Sequence, residues 1–561
     1  MTQTVTVLGT SLVDGPAQAP VLHSNVGLSF WGGIDPLTGI VIDAHHPLHG
    51  ECVTGRILAI PSGRGSCTGS FVLLELILGG IAPAAVIVCE QEEILTLGAL
   101  IAQLVFDRTM PVLQVTPDQF HTLSTGQHIQ IDGAHQPRAD GEIELSATDR
   151  AMLAGEHGKA PQIAMQVVLG MARIQGADKL IDVTQVHIDG CIYTGPASLR
   201  FAEMMLAAGA RLRVPTTLNA ISVDHRRWRS QGVPESLGIP ASALADTLVA
   251  MGATPSFTCA PYLLKTAPSF GEQIGWGESN AVAYANSVLG ARTMKYADML
   301  DLCIAITGRA PHAGPHLDRG RRAALAIDVE YPAGADDSFW PLLGYCVGLH
   351  CGPEIPLIRG LEHSRATQDE LKAFAAAFAT STGVPMFHIA GITPEATGQN
   401  PTRTRAIGLT ELRTAWMELD AAPDDAIGLI SLGNPHFSVG EFASLATLVA
   451  GRTRSPNVAV IITCGRDVLS TATEAGSTAP IEAFGAQIVT DTCWCMIDEP
   501  VIPPSVRTLM TNSGKYAHYA PGLVGRDVRF GSLAACVDAA CAGHAARSLP
   551  AWLTEPSPAH A

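Results

Sequence analysis

Gly63-Arg-Gly-Ser-Cys-Thr-Gly-Ser70 places a hydroxyl, that of Ser66, inside a glycine-rich loop. The apolar run Ile57-Leu-Ala-Ile60 precedes it and the helix-like Phe71-Val-Leu-Leu-Glu-Leu-Ile77 follows. A strand–loop–helix of this form aims backbone N–H groups at the helix start, where an anion or a developing oxyanion is stabilised. Ser66 would then sit in a field that favours its alkoxide. A Walker phosphate loop ends in Lys followed by Ser or Thr, and this loop has no Lys. The hydrolase elbow reads Gly-x-Ser-x-Gly, whereas Gly65 here directly precedes Ser66. The plainer reading is a turn in which Ser70 caps the helix.

Outward from this loop, short apolar runs alternate with Gly/Pro turns, as in Gly39-Ile-Val-Ile-Asp43 and Met110-Pro-Val-Leu-Gln-Val115. With helical stretches between them they predict a small β/α barrel-like domain over residues 21–144, closed by Gly126-Gln-His-Ile-Gln-Ile-Asp-Gly133. Residues 1–20 read as a ragged N-terminal extension. From 145 to 561 the alternation resumes: Leu180-Ile-Asp-Val-Thr184, Leu212-Arg-Val-Pro215, Ile427-Gly-Leu-Ile-Ser431 and Val458-Ala-Val-Ile-Ile-Thr463 read as buried strands. Ala-rich helices such as 369–379 lie between. The fold class is therefore α/β, a small domain fused to a large one of several α/β subdomains, with sites at strand C-terminal ends.

A chain of 561 residues exceeds one ordinary core. Its net charge of −17 leaves no basic stripe for nucleic acid or an anionic membrane, so a small molecule is the expected partner. Oligomeric state is not fixed by the sequence, and a monomer is compatible with it. The start, Met1-Thr-Gln-Thr-Val-Thr-Val7, has neither the cationic nor the apolar part of a signal peptide. The run 71–89 is broken by Glu75, Gly79-Gly80 and Pro83, and reads as a helix plus a buried strand rather than a span. Thirteen cysteines, without disulfide-like spacing, point to reduced thiols and a cytoplasmic location.

Polar residues crowd the ends of the inferred strands: His187 and Asp189, Thr216 and Thr217, Arg292, and Gly433-Asn-Pro-His436. Singly, a His there is a structural residue and an Asn or Thr a helix cap. Cys259, before Ala-Pro, and Cys493, after a strand-like run, differ because each sits at a chain break. Their wide separation rules out a local zinc clip and suits a site assembled from remote loops.

The loop at Ser66, preceded by Asp43-Ala-His45-His-Pro47-Leu-His-Gly50, resembles the small swivelling domain of the aconitase X family. Cys259-Ala-Pro-Tyr262, Gly277-Glu-Ser-Asn280, Gly391-Ile-Thr-Pro-Glu395, Asp491-Thr-Cys493 and Thr511-Asn-Ser-Gly-Lys515 resemble its large catalytic domain. The likeness spans about residues 21 to 540, with both parts fused in one chain. It implies a hydro-lyase with a serine base, here Ser66, stabilised by N–H groups of Gly65 to Gly69 and by Arg64. For a fused chain it implies cis-3-hydroxy-L-proline as substrate and Δ1-pyrroline-2-carboxylate as product. It also implies an iron–sulfur cluster (2Fe-2S or 4Fe-4S) or mononuclear iron, acting as Lewis acid on the departing hydroxyl.

Three cysteine ligands would keep one coordination position open. Cys259 and Cys493 match the family. Some relatives carry Cys where this chain has Asn434, so the third ligand falls to Cys351 or Cys346, with Cys351 favoured because it ends its segment before Gly352-Pro353. Lys515 with Ser513, Thr216 with Thr217, and Arg292 are the candidates to bind the substrate carboxylate. His187 and Asp189 are the candidates to protonate the leaving hydroxide. Two alternatives stand beside this one: dehydration of phosphomevalonate, which asks for more cations than this acidic chain offers, and a non-catalytic iron–sulfur sensor.

Overall fold

In the computed structural model, which describes residues 5–64, 66–132 and 143–554, the small domain is built on one mixed seven-stranded sheet. Its order is Val5–Thr6, His128–Asp132, Pro16–His23, Ile57–Ala59, Ala85–Val88, Val112–Gln114, Thr10–Val13. The two edge strands are separated in sequence by Val7-Leu-Gly9 alone. Four Cα steps reach about 14 Å, whereas seven strands laid flat would part the edges by about 29 Å. The sheet therefore curls until its edges approach, which is the barrel-like form expected. Gly9 permits the closure, since a Cβ there would lie 2.5 Å from the Gln114 carbonyl oxygen. From Val5 the segment up to Pro20 is not ragged: it supplies Val5–Thr6, Thr10–Val13 and most of Pro16–His23 to this sheet. Gly133, at the end of the expected closing strand, lies outside the described residues.

Successive strand residues face opposite ways, so Ile57, Ala59, Ala85 and Ile87 fill the inside of the curl while Leu58, Val86 and Val88 join the main core. Burial on both faces is why these strands read as unbroken apolar runs. The helices Gly69–Leu78 and Ile94–Phe106 are apolar nearly all round for the same reason. Their outer sides meet the large-domain helices Pro196–Ala207 and Lys159–Ile174. No helix among the described residues is long and apolar enough to cross a membrane.

The large domain carries parallel sheets of three, four and five strands and an antiparallel pair, Leu180–Asp182 with Arg309–Pro311. The three-stranded sheet orders Thr216–Leu218, Val186–Ile188 and Gly275–Trp276; the five-stranded one orders Gln487–Thr490, Ala459–Cys464, Leu429–Phe437, Thr508–Thr511 and Asp527–Phe530. The strand expected at 212–215 instead begins after Pro215, which has no N–H to donate to a ladder. The carboxyl ends of these two sheets face one another through the loops that bear the polar residues.

Candidate active site

On the small-domain side, Ser66 Oγ accepts from the Thr68 N–H (3.3 Å) and donates to Thr68 Oγ1 (3.2 Å). Thr68 is the N-cap of Gly69–Leu78 and makes no side-chain capping bond. The Gly69 and Ser70 N–H groups instead donate to the carbonyls of Ser66 (3.2 Å) and Cys67 (3.3 Å), so of the expected donors among the described residues only the Thr68 N–H reaches the Ser66 hydroxyl. Ser70, expected as the cap, lies inside the helix and donates to the carbonyls of Cys67 (3.0 Å) and Asp298 (3.2 Å). Gly65 lies outside the described residues. Arg64 pairs with Asp43 at 3.2 Å. Asp43 faces His518, whose ring stacks on His45 at 5.3 Å. His518 shares the helix Gly514–Val524 with Lys515, so the small-domain loop is tied to the element that carries the lysine.

Across the seam, Cys67 Sγ lies 3.7 Å from Ser279 Oγ. The preceding residue, Glu278, accepts from Lys515 Nζ (2.9 Å), Asn280 Nδ2 (2.7 Å) and Asn219 Nδ2 (3.0 Å). Burial opposes both charges. Lys515 nevertheless holds the Glu278 carboxyl down to about 2. Glu278 and the neighbouring sulfurs in turn hold Lys515 well above the ordinary lysine value. The pair is a fixed ion pair at neutral pH.

Those sulfurs belong to Cys259, Cys493 and Cys495. Burial pushes the Cys259 thiol to about 12, and the His436 N–H donates to its sulfur at 3.3 Å. Cys493 hydrogen-bonds Cys495, which raises the first and lowers the second. Asn434 Nδ2 donates to Cys495 Sγ at 3.3 Å and the charge of Lys515 acts in the same sense, so thiolate character collects on Cys495. The backbone is strained around these groups. Phe257, Met299 and Asp491, three of the five described non-glycine residues with positive φ, stand one or two positions from Cys259, Asp298 and Cys493.

A carboxyl cluster completes the site. Asp189 accepts from Asn219 Nδ2, while the Asp189 and Gly190 N–H groups donate to Asp301 at 2.7 and 3.1 Å. Burial and the neighbouring carboxylates push Asp189 and Asp298 well above the usual carboxylate range, and burial, opposed by backbone N–H donors, pushes Asp301 to about 6. Both Asp298 carboxyl oxygens are buried without a hydrogen-bond partner among the described residues, with the Thr68 hydroxyl and the Asp189 carboxyl as neighbours. Gly277 allows this crowding, since a Cβ there would come within 3.0 Å of both Asp189 and Asp301.

Several sequence-derived assignments change. Cys351 bonds the carbonyls of Gly348 and Gly352 and the Thr382 hydroxyl at 3.5–3.6 Å, and Cys346 faces Glu411, Arg405 and Glu418. Neither joins Cys259 and Cys493; Cys495 does. The signal was Cys-x-Cys: Cys493 precedes a single 3-10 turn, Trp494–Met496, that carries Cys495 beside it. Arg292 is committed to Asp318 (2.5 Å) and Glu395 (3.8 Å). Ser513 caps its helix through the Tyr516 N–H (3.1 Å) and donates to the Asn434 carbonyl. Thr216 donates to the Val214 carbonyl at 2.8 Å. His187 and Asp189 are not a pair. His187 Nδ1 bonds Thr217 Oγ1 at 2.8 Å, and burial pushes its pKa down to about 4, so it is neutral where an acid is needed.

Among the described residues no three His, Cys, Asp or Glu side chains stand in ready metal-holding geometry. The chemistry of the donors fits iron all the same: three buried thiols, one with its pKa lowered by its neighbours, and an amide rather than a fourth thiol beside them.

The comparisons agree with this architecture. The swivel domain of aconitase X matches residues 6–139, and its first, second and third domains match 142–319, 323–417 and 427–542. The chain is 55% identical to the cis-3-hydroxy-L-proline dehydratase of Pseudomonas aeruginosa over 97% of this chain and 98% of that one. It is 51% identical to the enzyme of the same name from Hypocrea jecorina over 97% of each. To the large subunit of phosphomevalonate dehydratase from Methanothermobacter thermautotrophicus it is 34% identical, over 69% of this chain and 96% of that one. The holo-form crystal structure of Thermococcus kodakaraensis aconitase X superposes with a TM-score of 0.64 at 30% identity, covering 71% of this chain and all of that one. With its swivelling and catalytic parts in one polypeptide, the chain belongs to the aconitase X family.

Proposed function

We propose that this chain is a hydro-lyase that converts cis-3-hydroxy-L-proline to Δ1-pyrroline-2-carboxylate and water. The observation that carries the reading is the seam itself, where the Ser66 loop of one lobe meets Lys515, Glu278 and three thiols of the other. The near full-length likeness to two enzymes named for that substrate supports it over phosphomevalonate. So does the engagement of Arg64 and Arg292 by carboxylates, which leaves neither free for a phosphate.

Cys259, Cys493 and Cys495 would hold an iron or iron–sulfur centre, which when bound supplies a Lewis acid for the departing hydroxyl. The chain's own groups do the rest. Ser66, with the Thr68 N–H on its oxygen, takes the C2 proton. Lys515 spends one donor on Glu278 and keeps two for the substrate carboxylate. Asp189 and Asp298, whose carboxyls burial raises well above the usual range, are the groups that supply a proton to the leaving hydroxide, and Thr68 lies between Asp298 and Ser66. The enamine left after loss of water tautomerises by moving its N–H proton to C3. Thirteen unpaired cysteines suit a reducing cytoplasm. The test is an anaerobic assay of the purified protein on each 3-hydroxyproline isomer and on phosphomevalonate; turnover of the latter alone would overturn the assignment.

A further inference from the structure

His436 is fully buried, and its hydrogen bonds lead to the residues that immediately precede two of the thiols. Nε2 lies 2.9 Å from the Thr492 carbonyl, next to Cys493. A carbonyl only accepts, so Nε2 carries the proton and Nδ1 is the acceptor. Nδ1 lies 3.2 Å from Thr258 Oγ1, next to Cys259, and so receives the Thr258 hydroxyl proton. That hydroxyl oxygen in turn accepts the Ala260 N–H at 3.2 Å, which closes the turn around Cys259. The His436 backbone N–H donates directly to Cys259 Sγ at 3.3 Å. The backbone is anchored from behind: buried Lys372, paired with Glu441, donates to the His436 carbonyl at 3.1 Å.

We infer that His436 is a positioning residue that brackets the loops of Cys259 and Cys493, fixing the spacing of two thiols that come from opposite ends of the large domain. Besides the bracket, the loops are joined through backbone pairing to residues 218–221 and through Arg466, which pairs with Asp491 and lies over the Phe257 ring. The inference rests on the reading that these thiols hold iron.

Thr258→Val tests it, because it removes one arm of the bracket at nearly constant volume and leaves His436 in the core; Thr258→Ser restores the hydroxyl. Both are compared with the parent protein, loaded anaerobically with iron and sulfide, for iron per chain and for the rate of iron release to a ferrous chelator. Supporting groups around metal ligands typically alter retention by 10–100-fold. Thr258→Val is expected to release iron about tenfold faster, with Thr258→Ser near the parent. The thermal midpoint of the iron-free protein should be nearly the same in all three. Parent-like release from Thr258→Val, or a loss matched by equal destabilisation of the iron-free protein, overturns the bracket. A parent protein that binds no iron overturns both the bracket and the centre on which it rests.

Discussion

Replacing Lys515 by Met removes the cation paired with Glu278 while keeping most of the side-chain volume, and its cost can be worked from Glu278. The Glu278 carboxyl is held at about 2 against an ordinary value of 4.5. A displacement of that size corresponds to about 3 kcal/mol of stabilisation of the carboxylate. Because the folded value is the depressed one, the stabilisation is complete above about pH 4.5 and is lost as the pH falls towards 2. In Lys515→Met the buried carboxylate loses its ion-pair partner and keeps only the Asn280 and Asn219 donors and the field of buried Lys295, and breaking a buried pair in this way costs about 3–5 kcal/mol. Unfolding in urea, with chelator present throughout so that iron plays no part, can be followed by fluorescence, since Trp276 and Trp494 are buried next to Glu278 and between Cys493 and Cys495. At pH 7 the single variant should lose about 3 kcal/mol. Lys515→Met combined with Glu278→Gln should recover most of it, because the orphaned charge is gone. Lowering the pH should narrow the gap between Lys515→Met and the parent, as Glu278 in the variant takes up a proton. A loss below about 1 kcal/mol at pH 7, or a double variant that is additive, would refute the ion-pair argument.

Cys495→Ala should lower the iron bound per chain after anaerobic loading, whereas Cys351→Ala should leave it unchanged; iron and sulfide analysis distinguishes the two outcomes. Asp298→Asn, which keeps the shape of the carboxyl but not its proton, should depress kcat by about 100- to 10,000-fold with little change in KM. Its pH–rate profile should also lose the limb that reports that proton.

Most of the fold is legible in the sequence, because strands buried on both faces must be apolar throughout; Ala85–Val88 and Ala459–Cys464 announce themselves in this way. Strands that carry Pro, Gln and Thr do not, and the pairing of Thr10–Val13 and Pro16–His23 is settled by partners about a hundred residues away. The loop at Ser66 and the residues Lys515, Cys259 and Cys493 could be found because each interrupts a regular pattern. Cys351 misled because the end of an apolar segment looks like a chain break; in fact it closes the helix Phe339–Cys351 against Thr382. Asp298 and Asp301 passed unnoticed, although two carboxylates in so apolar a segment as 296–307 must be buried and therefore must have a function or a partner. The corrected roles of His187, Arg292 and Ser513 share one cause. Their partners, Thr217, Asp318 and Asn434, are brought to them only by tertiary contact.

The most direct test of the whole account compares the iron-loaded parent protein with its Ser66→Ala variant, by following formation of Δ1-pyrroline-2-carboxylate from cis-3-hydroxy-L-proline together with visible absorption. The account predicts that the variant retains the iron and its absorption but makes no product. Product formation by Ser66→Ala at an appreciable fraction of the parent rate would contradict it.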